Sequence, residues 1–281
     1  MKLRVSAFLL VFFSAVASAE EYKSITTAGY SNLDFDSGSG DDFSVETTYY
    51  FSGKDTLGPL KEFEFINKSS NISAAYYHRN IGDWNNDNFA FAGEYFAENG
   101  FLVSANLTDF TENSFNTIAL GYLFTPNFLM KLYNTEGDTY VEARYNYQLN
   151  STDYIGFGFV ADELFDWQLF SSKYFAGLGD NKYLAADFNY LNIDGGDNYW
   201  KVGTDYYFTQ NTSFGIDYDR NNDYKLGFSH FFNRNIAVDA SYSTILENVF
   251  KHSSFGNDIY AKALNPDVDV KKFELGVTVQ F

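Results

Sequence analysis

The sequence predicts an all-β chain closed into a transmembrane antiparallel β-barrel of about sixteen strands, with 14 or 18 as the neighbouring even counts. Three observations predict it. Residues 271–281 alternate without a break: Phe273, Leu275, Val277, Val279 and Phe281 fall on one face of a strand, and Lys272, Glu274, Gly276, Thr278 and Gln280 on the other. Aromatic residues make up 20% of the chain, with 31 Phe and 23 Tyr but only 3 Pro, a composition suited to strands that meet lipid and its interfaces. Past the N-terminal segment no apolar run reaches the length of a spanning helix, so any membrane crossing uses strands. A barrel in the bacterial outer membrane shows an apolar face to lipid and a polar face to water, and its last strand closes on its first. The mean hydropathy of -0.29 fits this reading, because half of each strand is then polar.

The elements follow in order. Lys2 and Arg4 precede an apolar run at 5–17 and an Ala17-Ser18-Ala19 cleavage pattern, so residues 1–19 read as an export signal and 20–281 as the barrel. A first strand is expected at 24–34, an acidic Gly/Ser-rich loop at 35–42, and a second strand at 43–52. Residues 53–70 break the period of two, with Pro59 near a plausible helix start, and read as an irregular or helical insert on the periplasmic side. It either folds into the lumen or makes a long turn. Alternation then places strands at 72–79, 89–97, 101–108, 115–124, 128–133, 140–149 and 154–161. Further strands are expected at 167–178, 183–191, 199–208, 213–219, 224–232 and 236–245. Tight aromatic-flanked turns at 124–128, 149–152, 208–211 and 232–235 are assigned to the periplasm, and acidic connections at 136–138, 192–198 and 220–223 to the outside. A long extracellular loop, 246–268, precedes the closing strand.

Alternation also sorts the side chains. Glu46, Arg79, Glu94, Lys131, Glu142, Arg144 and Asp187 are expected to line the pore, as are Lys201, Asp205, Lys225, Asp239, Lys272 and Glu274. A midplane Lys or Arg turned toward lipid would cost about 2–4 kcal/mol, and this fixes the register. Opposed acidic and basic walls would set a transverse field; the alternative is salt bridges that stabilise the wall. Tyr122, Phe124, Tyr206, Phe208 and Phe232 are expected in an interfacial girdle.

Composition excludes several classes. With 19 Lys+Arg against 37 Asp+Glu the net charge is -18, which argues against a nucleic-acid partner. There is no Cys, hence neither a disulfide framework nor thiol chemistry. The three His, at 78, 230 and 252, stand without the base, nucleophile and orienting partner that a hydrolase needs, so no enzyme is expected. Asp34, Asp36, Asp41 and Asp42 lack the calcium-loop frame and read as a solvated acidic loop; no metal site or cofactor is expected. Such loops suit divalent cations that bridge to lipopolysaccharide phosphates.

The signal segment, the Gly58-Pro59-Leu60-Lys61-Glu62 to Asn67-Lys68-Ser69-Ser70 insert, the strand rhythm and the terminal strand together resemble the general bacterial porins of Gram-negative outer membranes. That resemblance implies a homotrimeric channel for passive diffusion of small hydrophilic solutes, embedded in outer-membrane lipid. It also implies an assembly signal, carried here by Phe273, Leu275, Val277, Val279 and Phe281, that the barrel-assembly machinery reads. In one respect the chain departs from the family: the third extracellular connection, long and pore-narrowing there, is only Phe110 to Ser114 here. The constriction is then expected from the 53–70 insert or the 246–268 loop. A mild cation preference follows from the acidic balance. The alternative is a structural or adhesive barrel plugged by the insert.

Overall fold

The computed structural model describes residues 21–35, 38–82, 84–108, 115–244 and 270–281. The expected export signal, the 110–114 connection and the 246–268 loop lie outside the described residues. The first eight strands are β1 (Glu21–Phe35), β2 (Gly38–Asp55), β3 (Asn71–Ile81), β4 (Trp84–Phe96), β5 (Phe101–Thr108), β6 (Phe115–Thr125), β7 (Phe128–Thr135) and β8 (Asp138–Gln148). The other eight are β9 (Tyr154–Asp162), β10 (Trp167–Gly179), β11 (Lys182–Ile193), β12 (Tyr199–Thr209), β13 (Thr212–Asp219), β14 (Tyr224–Phe231), β15 (Ile236–Thr244) and β16 (Val270–Gln280). Each pairs antiparallel with its neighbours in the chain, and β1 pairs with β16, so the sheet has no free edge. The count is therefore sixteen.

The closing seam runs from Ile25↔Gln280 to Phe35↔Val270. Phe281 extends it by main-chain bonds: its N–H donates to Ser24 O at 2.8 Å, and its carbonyl accepts from Lys23 and Ser24 at 2.5 and 2.8 Å. Closure satisfies the backbone groups that lipid cannot. Register shifts lie at Tyr22/Ser24, Leu123/Thr125, Gly177/Gly179 and Tyr207/Thr209, all at the barrel end that holds the chain start of β1. Bulges gather at such rims because an extra residue there turns the strand without breaking the ladder below it.

Several elements differ from the sequence expectation, among them β4, which begins at Trp84 and not at Phe89. Residues 38–42, expected in a loop, extend β2 and pair with β1 from Phe35↔Gly38 to Ser31↔Asp42. Beyond the lipid, strand pairing no longer requires an apolar face, so alternation in hydrophobicity stops before the ladder does. Residues 53–55, expected in the insert, belong to β2. The remaining insert, 56–70, contains no helix; it is a chain of turns with one bridge, Thr56↔Phe63. Pro59 sits inside a turn closed by Leu57 N–H to Glu62 O at 2.8 Å and Glu62 N–H to Pro59 O at 3.1 Å. Gly58 supplies the positive φ of 120° there, close against the Tyr183 ring.

Following cross-strand partners around the barrel separates two faces with no switch. On one lie exposed Ile118, Leu120, Leu132, Phe157, Ile216 and Leu275, among many other apolar side chains. Phe124, Phe208 and Phe232 lie on this face beside the turns at the insert end, with Tyr122 against Phe124 and Tyr206 against Phe208 at ring distances of 4.9 Å. His78 and His230 are also on the outer face, beside Asp87 and Phe232 respectively. The opposite face is the lumen, because side chains from β4, β10, β12 and β16 all converge from it on the insert.

Candidate functional site

The site is this inward face together with the insert seated in it. Every charged residue expected to line the pore falls on the inward face, and the structure shows which of them meet. Arg79 pairs with Asp42 at 2.8 Å, Lys131 with Glu94 at 2.7 Å, and Arg144 with Glu142 at 2.5 Å. Lys201 lies 3.5 Å from Asp217, and Lys272 2.8 Å from Glu274. Glu46 faces Thr27 and Ala75 in register, Asp187 accepts from Asn189 at 3.2 Å, and Asp239 from Thr278 at 3.2 Å. Asp205 and Lys225 border a cavity between β12 and β16. The cations are not gathered on one wall and the carboxylates on another; they are interspersed around the ring, and each of these pairs joins opposite signs. A charge held near its counter-charge costs less to remove from bulk water than one standing alone. Opposed walls of single sign are thus absent among the described residues.

The pair Lys131–Glu94 joins strands that are not adjacent. Gly121 on β6 lies between them, and a Cβ there would come within 3.0 Å of Lys131 Cγ, so the missing side chain gives the lysine its path across the wall. Glu94 also accepts a bond from Asn67 of the insert at 3.0 Å.

The insert is fixed on several sides. Glu62, buried, accepts from Lys173 Nζ on β10 at 2.7 Å and from the Tyr207 hydroxyl on β12 at 2.5 Å. Leu60 donates its N–H to Gln210 O at 2.9 Å, accepts from Gln280 Nε2 at 3.2 Å, and packs with Phe231 and Ala237. Phe65 lies on Gly156, where a Cβ would sit 2.6 Å from its ring, and joins Leu57, Tyr154, Phe175, Tyr183 and Tyr207 in an apolar cluster. The insert therefore lies within the lumen at the end where β1 begins and β16 ends. Replacing Glu62 by Gln leaves Lys173 without its counter-charge and removes a charged hydrogen bond worth about 1.5–3 kcal/mol. We expect the Glu62→Gln channel to switch more often between current levels in bilayer recordings; an unchanged switching rate would show that the insert is held without this pair.

The other end of the lumen has a wall of different character. Tyr133, Tyr140, Val160, Leu169, Leu191 and Tyr199 form an inward apolar cluster with Trp167, and the Tyr133 and Tyr140 rings stack at 5.2 Å. Sequence reading assigned only polar groups inward and missed this cluster, although Leu169 and Leu191 have the same parity as Lys173 and Asp187 on their own strands. Asp42, Lys173 and Asp217 were legible in the same way. The role of Glu62 was not, since no period governs an irregular insert.

Residues 1–265 match the family described as putative general bacterial porins. No curated protein sequence matches the chain. Among solved structures, the chain is similar to the Acinetobacter baumannii outer membrane protein Omp33, with 18% identity, a TM-score of 0.55, and 94% of this chain and 100% of that one covered. Pseudomonas aeruginosa OpdQ aligns at 10% identity and a TM-score of 0.49 over 94% of this chain and 99% of its own. The Omp33 likeness supports the barrel fold, and the family match supports what the barrel is for. With a closed sixteen-stranded wall, an apolar exterior and a charged polar interior, the chain belongs to the general bacterial porin family and is an outer-membrane channel protein.

Proposed function

We propose that the protein is a passive diffusion channel for small hydrophilic solutes and ions with a mild preference for cations. The observation that carries this reading is the carboxylate-rich cavity between β12 and β16, which borders Lys61 of the insert and stays open beside it. Solute selection in a pore comes from its width and from the charges on its wall. The acidic balance of the chain, 37 Asp+Glu against 19 Lys+Arg, raises the concentration of cations near it. The path runs along this wall, past the insert. Reconstituted in a planar bilayer under a KCl gradient, the protein should give stable conductance steps with a reversal potential displaced toward the cation. Asp205→Asn together with Asp217→Asn should shrink that displacement. Absence of steps, or anion preference, counts against the reading.

The proposed surroundings follow from the same reading. The apolar outer face meets outer-membrane lipid, and the acidic outer connections suit lipopolysaccharide held through divalent cations. Phe273, Leu275, Val277, Val279 and Phe281 present the assembly signal, and the working unit is a homotrimer. A second reading, a plugged structural or adhesive barrel, draws on one observation: the insert is bonded to β4, β10, β12 and β16 together. Conductance of the unaltered protein separates the two.

A further inference from the structure

At the barrel end away from the insert and the chain termini, β9 turns into β10 through Glu163, Leu164, Phe165 and Asp166. Leu164 is 72% exposed, more than any other large apolar side chain among the described residues, and Phe165 beside it is also exposed. Phe165 holds a positive φ of 60° as well, a backbone conformation that bulky residues rarely adopt. The tip is nonetheless firmly built. Phe165 donates its N–H to Asp162 O at 3.2 Å and its carbonyl accepts from Gln168 Nε2 at 2.7 Å, while the Trp167 N–H donates to Asp162 Oδ1 at 3.2 Å.

What the tip touches gives its direction. The Phe165 ring stacks on Phe159 with centroids 6.5 Å apart, and Phe159 meets its cross-strand partner Phe170 at 4.9 Å on the outer face of the wall. Ala161 stands on that same face, opposite Gln168 and Val141, and is wholly buried. The chain therefore doubles back from Asp162 over Ala161 toward Phe159, down the outside of the barrel and not across its mouth. β9 has 9 residues, Tyr154–Asp162, and a tilted strand needs about 9–11 to cross the hydrocarbon. The strand thus ends at the edge of the lipid. A turn that folds back from there re-enters the apolar layer.

We propose that this turn is a lipid anchor, with Leu164 and Phe165 inserted among the acyl chains of the outer leaflet and Glu163 and Asp166 left at the aqueous boundary. Lipid is the occupant because the two side chains continue the apolar outer wall through Phe159 and Phe170. A second copy of the chain would need roughly 1,000 Å² of buried surface for a stable contact, and a tip of two apolar side chains offers far less. Burial in hydrocarbon also offsets the unfavourable backbone of Phe165.

The chain has no Cys, so one introduced thiol carries a single nitroxide label. Leu164→Cys and Phe165→Cys are labelled separately in the full barrel, reconstituted in dioleoylphosphatidylcholine vesicles. Electron paramagnetic resonance then reads collision with oxygen and with a water-soluble nickel chelate. Leu132→Cys on the outer wall marks lipid, and Asp197→Cys, at a side chain 93% exposed, marks water. Oxygen concentrates in hydrocarbon and the polar chelate in water, so the oxygen-to-nickel ratio at 164 and 165 should lie within about two-fold of the lipid marker and about ten-fold above the water marker. A ratio at the level of the water marker overturns the anchor. Low collision with both reagents places the tip against protein and overturns it as well, dipolar broadening between labels identifying that protein as a second copy. Heat-shifted migration in SDS verifies that each labelled barrel is folded, and either position decides the question if the other variant does not fold.

Discussion

Replacing residues 57–68 by a short Gly-Ser linker is expected to raise single-channel conductance by about two-fold or more, because sixteen strands enclose an aqueous channel when nothing fills it. The insert occupies part of one end of it, bonded to the wall at β4, β10, β12 and β16. Leu60, Glu62 and Ile66 are buried in the lumen, and Phe65 reaches the far wall at Gly156. The linker joins β2 to its direct neighbour β3, so the ladder from Gly40↔Ile81 to Tyr50↔Asn71 is untouched and the barrel should still close. Loss of the apolar cluster around Tyr154, Phe175 and Tyr207 should lower the temperature at which the band shifts in SDS. Conductance equal to that of the unaltered protein would mean that solute already passes without meeting the insert. Steps that appear only after removal would favour the plugged reading over the channel.

Val277→Arg is expected to block insertion into the outer membrane while leaving export intact. Val277 is exposed on the outer face of β16, paired with Ala28 on β1 and Val238 on β15, so a charge there points into lipid. An arginine near the midplane costs about 2–4 kcal/mol, and β16 carries it at the seam where the cylinder must close. Deleting Phe281 acts on the same seam by another route. It removes the main-chain bonds to Lys23 and Ser24 and leaves those groups at the rim without partners. Fractionation should find both variants in the periplasm or degraded, with no heat-shifted band. Normal assembly of both would count against this account of the closing strand.

Much of this protein is written in a period of two. Alternation gives the strand number to within two, places Leu132 and Leu275 outward and Lys131 and Glu274 inward, and so indicates which charges face the lumen. Parity is a local property: one backbone ladder repeats every second residue, and the cost of a charge in lipid fixes its phase. What the charges do to one another is not local. Glu94 meets Lys131 across 37 residues and Glu62 meets Lys173 across 111, distances in sequence that only the closed cylinder and its register bring to zero. The polar extension of β1 and β2, the inward Tyr133–Tyr140 stack and the cavity between β12 and β16 likewise depend on neighbours that alternation does not name. The insert shows the division most plainly. Its sequence announces a break in the strand pattern, and only the walls around it, with Gly156 clearing room for Phe65 and Lys173 facing Glu62, decide that it lies inside the barrel.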